Sequence, residues 1–261
     1  MLTTYLKQGV KAGVIAGVVF GLLTALVANP LVVFADELGH SDHAVDEHHE
    51  ETSAHHEESG GHHDSAVSTA VTKGVSVVSG VLWGVLLGGV IFGIAYYFLE
   101  PAIPGVGETK SYLLAAAGFI TVSGSPWLVL PPRPPGAEQA LPTDTRLVLY
   151  GGMMVAGALV CLLAGFVYGR LWDVRGRLTA AVFATLPFGL LAIPAVLSPS
   201  NSVESPLPSE LATGLVGMVV FGQALLWLCL AWSHAQLRRR SMDEQAAEAA
   251  RARSDPTVTA D

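Results

Sequence analysis

Charge is scarce in this sequence. Only 14% of the residues are charged, against 51% that are hydrophobic. That balance excludes an ordinary water-soluble domain, whose surface has to be covered with Lys, Arg, Asp and Glu. Cysteine is nearly absent as well. Its two representatives, Cys161 and Cys229, fall inside apolar segments and read as small buried residues rather than a disulfide framework. Catalytic signatures are missing too: no HExxH, no GxSxG and no paired-carboxylate arrangement. "GVGETKS" at residues 105 to 111 has Thr109 where a phosphate loop needs Gly, and no strand precedes it. The chain does not read as an enzyme. Its formal net charge of -8 argues against nucleic acid as a partner.

What is present is apolar length. A hydrocarbon core of roughly 30 Å needs about 20 mainly apolar residues per helix. Six windows qualify: 9 to 34, 74 to 99, 111 to 130, 147 to 171, 178 to 198 and 211 to 235. The fold class expected is an all-α integral membrane protein with six transmembrane helices. The third window holds Ser123, Ser125 and Pro126, and the fifth Pro187 and Pro194. Such breakers are tolerated where neighbouring helices satisfy the freed backbone, and a re-entrant path for one of the two is the alternative.

Lys and Arg then set the orientation, because positive flanks stay in the cytoplasm. With the N-terminus inside, the cytoplasmic segments hold eleven basic residues, from Lys7, Lys11 and Lys110 through Arg170, Arg175 and Arg177 to the tail. The external ones hold three, Lys73, Arg133 and Arg146. This gives an N-in/C-in plan: a first transmembrane helix over 1–35, an external loop over 36–72, a five-helix transmembrane region over 73–237 and a cytoplasmic tail over 238–261. Val33 and Ala35 also sit where a signal peptidase would look, so cleavage after Ala35 is the alternative; the apolar run before them, about twice a normal signal core, weighs against it, and the loop is external either way. In the tail, Arg238, Arg239 and Arg240 read as an anchor for the last helix at the inner face.

Histidine is distributed unevenly. Eight of nine lie in residues 40 to 64, "HSDHAVDEHHEETSAHHEESGGHHD", with eight carboxylates and no Lys or Arg. HHEETSA, HHEESGG and HHDSAVS follow one another there as a seven-residue repeat. Neutral imidazole suits Zn, Cu, Ni and Co, and the carboxylates attract the cation. His40, His43, His48, His49, His55, His56, His62 and His63 are thus candidate ligands in several weak, interchangeable sites of a disordered loop. A solvated acidic linker is the plain alternative.

The spans themselves offer less chemistry. No Asp, Glu, Lys or Arg lies near the centre of any window, which weighs against a carboxylate-lined metal pathway. Asn29 before Pro30, Gln223 and His234 are the polar pathway candidates, with snorkelling as the simpler reading of His234. Glu100 and Pro101 read as a helix stop. Gly13, Gly17 and Gly21 in the first span and Gly80, Gly84 and Gly88 in the second repeat every four residues, so each set lies on one helix face. Close backbone approach drives helix association in lipid, so these two helices are expected to pack tightly, on each other or on a partner helix.

A glycine-rich first span, a His/Glu-rich external loop, a third span ending in "LPPRPPG" and a fifth carrying "LPFGLLAIP" together resemble the CbtA family of cobalt transporter subunits. The resemblance covers most of the chain up to about residue 235 and is most specific at Leu130 to Gly136. It implies a multi-pass protein of the cell membrane that takes up cobalt for cobalamin synthesis with a small single-span partner of the CbtB type. Members of the family often carry His after the fifth-span proline, where this chain has Phe188. No cofactor is expected to be permanently bound. The transported ion is Co2+ by resemblance, with Ni2+ and Zn2+ open, since a loop of this kind does not favour cobalt by affinity. A membrane-anchored metal-binding or sensing protein that does not transport, and a structural subunit of a larger complex, are the alternatives.

Overall fold

The computed structural model describes residues 2–34, 69–134 and 136–254. Six helical rods, each one antiparallel to the next, make up nearly all of it. The first, α1, runs Leu2–Phe34. α2 runs through Thr69–Gly84, Val85–Phe92 and Gly93–Leu99, and α3 through Thr109–Phe119, Ile120–Gly124 and Ser125–Trp127. α4 is Thr143–Arg175. α5 runs through Arg177–Thr185, Leu186–Leu191 and Ala192–Leu197, and α6 is Ser209–Ser254. Among the described residues five helices are long and apolar enough to cross a membrane, Leu2–Phe34, Gly74–Leu99, Thr143–Arg175, Arg177–Leu197 and Ser209–Arg251. α3 is not one of them, because Lys110 at its start and Ser123, Ser125 and Pro126 near its end dilute its apolar content, and the last three are buried.

Three interruptions in the rods trace to proline. Proline has no N–H and its ring clashes with the carbonyl four residues back. Thr24–Ala28 and Ile120–Gly124 are accordingly wound as π-helix just before Pro30 and Pro126. Pro187 is the second residue of the 3₁₀ stretch Leu186–Leu191 of α5, and Pro194 lies in the α-helical turn after it. The carbonyl of Val122, four residues before Pro126, does not go unused: Tyr150 of α4 donates its hydroxyl to it at 2.7 Å. At Gly176 a positive φ of 80° breaks the chain sharply between α4 and α5.

The seam between α1 and α2 is made of backbone. A Cβ added to Gly13 would meet the carbonyl of Gly84, one on Gly17 the carbonyl of Gly80, and one on Gly88 the Cα of Gly13. Gly21 sits against Val77 in the same way. α6 packs on α1 and α3, with Ala12, Ala16, Phe92, Tyr96, Leu114, Ala115, Leu226, Trp227 and Leu230 forming the core cluster. Gly118 of α3 leaves room for the Trp227 ring. α4 leans on α3, and α5 packs on α4 at the rim. Exposed Leu, Val, Ile and Phe side chains cover the outside of every long helix, as a lipid-facing surface requires.

At one end of the bundle, here called the terminal end, α1 begins, α2 stops, α3 begins and α6 leaves. α6 does not stop at residue 237 but continues unbroken to Ser254. At the far end the two loops after α3 and α5 join. Glu138–Gln139 pairs antiparallel with Val203–Glu204, Asn201 bonds Gln139 and the Leu141 amide, and Arg133 donates to the Ala137 carbonyl at 2.8 Å.

Candidate functional site

The three pathway candidates are strung along the bundle rather than gathered. Asn29, the residue that follows the π segment of α1, donates to Ser76 of α2 at 2.7 Å and fastens the far end of the seam. Gln223 is half-buried in the first third of α6. His234 lies eleven residues further along, which is about 16 Å at the rise of a helix. The eight loop histidines, the repeat that contains them and the Ala35 cleavage position lie outside the described residues.

His234 does not snorkel. It is 0% exposed, because α6 continues as helix for another 20 residues beyond it and Phe92, Tyr96 and Ser111 close over it from α2 and α3. Its ring sits edge-on to Phe92 at 5.0 Å and tilted against Tyr96 at 4.6 Å. Nδ1 lies 2.9 Å from the Ser111 hydroxyl, while Nε2 meets no donor or acceptor among the described residues.

One turn nearer the terminal end, α6 presents Arg238. Its guanidinium donates to Glu100 Oε1 at 2.6 Å and lies over the rings of Tyr5 at 5.0 Å and Tyr96 at 5.1 Å. Tyr5 donates to Glu100 Oε2 at 2.5 Å, and Lys110 donates to the Glu100 carbonyl at 2.7 Å. Gln8 donates to Ser241, which donates in turn to the Arg238 carbonyl. α1, α3 and α6 thus converge on Glu100 at the end of α2, α1 and α6 through its carboxylate and α3 through its backbone carbonyl.

Two readings of the sequence are corrected here. Glu100 is not merely a helix stop, and Arg238 is not a free membrane anchor: their side chains are 22% and 20% exposed and bonded to each other. A charge pair so placed is fixed by hydrogen bonds to its remaining oxygens, which Tyr5 supplies. Periodicity held a weak signal for this. Tyr96 and Glu100 are four residues apart, as are His234 and Arg238, so each pair shares a helix face. Nothing in the sequence says that the two faces meet.

A second polar patch lies where the π segment of α3 crosses α4. Ser125, 1% exposed, packs against Gly157 with its hydroxyl unpartnered, and the Cys161 thiol points to the Ala117 carbonyl at 3.8 Å. Buried Met153 lies on the same side of α4. Both cysteines are free. Among the described residues no three His, Cys, Asp or Glu side chains gather into a metal cluster.

Comparison with curated proteins and with solved structures finds no match. A family model described as "Probable cobalt transporter subunit (CbtA)" matches residues 2–239, which span all six rods and most of the chain. Several apolar helices of membrane-crossing length, together with that match, make this a multi-pass protein of the plasma membrane. The chain belongs to the CbtA family of cobalt transporter subunits.

Proposed function

We propose that this chain is the membrane subunit of an uptake system for a divalent transition metal, cobalt, and that its loop over residues 40–64 captures the ion outside. The family match over residues 2–239 carries the cobalt reading. Eight histidines among eight carboxylates in 25 residues carry the capture reading. Six spans, α3 included, put both termini and the Glu100 cluster on the cytoplasmic side, in keeping with eleven basic residues there against three outside. A single-span partner of the CbtB type completes the system.

A low-complexity string of interchangeable ligands has to be ordered each time it wraps an ion, so each site is weak. Its effect is on local concentration at the entrance. Deleting residues 40–64 therefore raises the metal concentration for half-maximal uptake and leaves the maximal rate nearly unchanged, measured with labelled Co2+ in cells. Replacing the eight histidines with Gln does the same at full loop length. Capture weakens as pH falls through about 6.5, where free imidazole takes a proton and stops being a ligand. Unchanged uptake at every concentration reduces the loop to a linker. Loss of uptake at saturating metal places the histidines in the permeation path. A tag near Gly60 is accessible in intact cells and one after Asp261 is protected; the reverse result turns capture into export or sensing.

A further inference from the structure

We propose that His234 and Glu100 form a second, inner cation site, resting on the uptake reading, and that the chain's own Arg238 guanidinium fills it when no metal is there. The carboxylate is already treated as a cation receptor. Oε1 takes the guanidinium, Oε2 takes the Tyr5 hydroxyl, and the rings of Tyr5 and Tyr96 flank the charge. Aromatic faces and a carboxylate around one positive centre are what a cation recognises.

The independent sign of a ligand is His234. It is fully buried with Nε2 unpartnered, which is costly for a polar atom unless something binds there. In the tautomer whose Nδ1–H donates to Ser111, the Nε2 lone pair is left for a metal, and Ser111 then fixes the ring as the outer partner of a ligating histidine does. His234 and Arg238 stand one turn apart on the same face of α6, and the Tyr96 ring touches both. Displacing the guanidinium leaves its space to the ion and lets the Glu100 carboxylate turn toward Nε2. Arg238 can leave in one direction: a cavity of about 220 Å³ beside it is lined by Gly107, Glu108, Arg239 and Asp243 among others. Glu108 already holds Arg239 there, 3.4 Å away.

The class of ligand is a divalent transition metal with affinity for one imidazole and one carboxylate. Two strong ligands give a weak site. That suits an ion that must leave again. The tethered arginine also keeps the path shut to small cations while empty, because its charge occupies the carboxylate.

The test uses the purified full-length chain in detergent, with the eight loop histidines replaced by Gln so that only inner binding is read, and Co2+ alone as probe. In this background Arg238→Gln binds Co2+ with one site per chain, about tenfold tighter than the parent, since a charge-assisted hydrogen bond to the carboxylate no longer competes. The visible d–d bands of the bound ion report a nitrogen ligand, and adding His234→Gln removes both the binding and the bands. Should Arg238→Gln fail to fold, Tyr5→Phe carries the same test: it frees Oε2 alone and tightens binding severalfold. Equal Co2+ affinity in parent and variant, or binding that survives His234→Gln, overturns the inner site and reduces the cluster to a staple between helices. The capture reading stands or falls separately, on the half-saturation of uptake by the loop variants.

Discussion

Glycine does opposite things in the two halves of this bundle. Along α1 and α2, Gly13, Gly17, Gly80, Gly84 and Gly88 are places where one backbone lies against another, and a single methyl group would meet a carbonyl or a Cα. Along α4, a Cβ added at Gly151, Gly152, Gly165 or Gly169 would meet nothing within 4 Å, while Gly157, facing α3, is packed against Ser125 and Thr121. The first half is a seam, sealed by the polar cluster at one end and by Asn29 and Ser76 at the other. The second is a rim attached mainly through α3. Residue type alone does not distinguish them; the register between neighbouring helices does.

The comparison breaks most readily at the seam. Gly84→Ala places a Cβ against the Gly13 carbonyl and the Gly17 backbone, neither of which can step aside as a side chain would. We expect a loss of about 3 kcal/mol, at the upper end of overpacking, seen as a lower melting temperature in detergent. Gly84→Leu should abolish accumulation in the membrane. Normal yield of the leucine variant would mean that α1 and α2 do not meet in this register.

Next in size is Glu100→Gln, which keeps the Tyr5 contact but strands the Arg238 charge. With both side chains about one-fifth exposed, solvent screens part of the effect, and we expect about 1–2 kcal/mol. Combining it with Arg238→Met should recover much of the loss. A double variant as unstable as the sum of the two singles would show that the pair is not coupled.

Asn29→Leu cuts the bond to Ser76 at the far end, at a cost near the ~0.6 kcal/mol average for polar contacts between membrane helices. The same thermal measurement reads it, and a loss as large as that of Gly84→Ala would shift the anchor of the seam to its far end. Smallest of all is Gly169→Ala on α4. With open space around it, the substitution should raise stability by about 0.5 kcal/mol, the ordinary preference of helix for Ala over Gly. A marked loss there would show that the α4 face is covered by another chain.

The positions of the rods were legible because apolar length and proline are local signals. The window 178 to 198 lies within a residue of Arg177–Leu197, and the window 74 to 99 ends with α2 at Leu99 although α2 begins at Thr69. Pro30 and Pro126 each follow their π segment by the distance that the clash with the carbonyl four residues back requires. The ends were less legible. α1 begins at Leu2 rather than near Gly9, and α6 runs on to Ser254, because polar helix ends packed on each other no longer look apolar. Gln8 and Ser241 are such a pair.

Sequence by itself determined the membrane class, the glycine faces and the concentration of imidazole between the first two spans, since each is a property of neighbours in the chain. Tertiary structure decided which charges are partners. Tyr5, Glu100, Ser111, His234 and Arg238 come from four helices separated by up to 233 residues. An Arg beyond the end of a span looks the same in sequence whether it faces lipid headgroups or a carboxylate. Only the crossing of α6 with α1, α2 and α3 brings Glu100 within reach, excludes enough water to fix the pair, and leaves His234 buried behind it with one nitrogen unbonded.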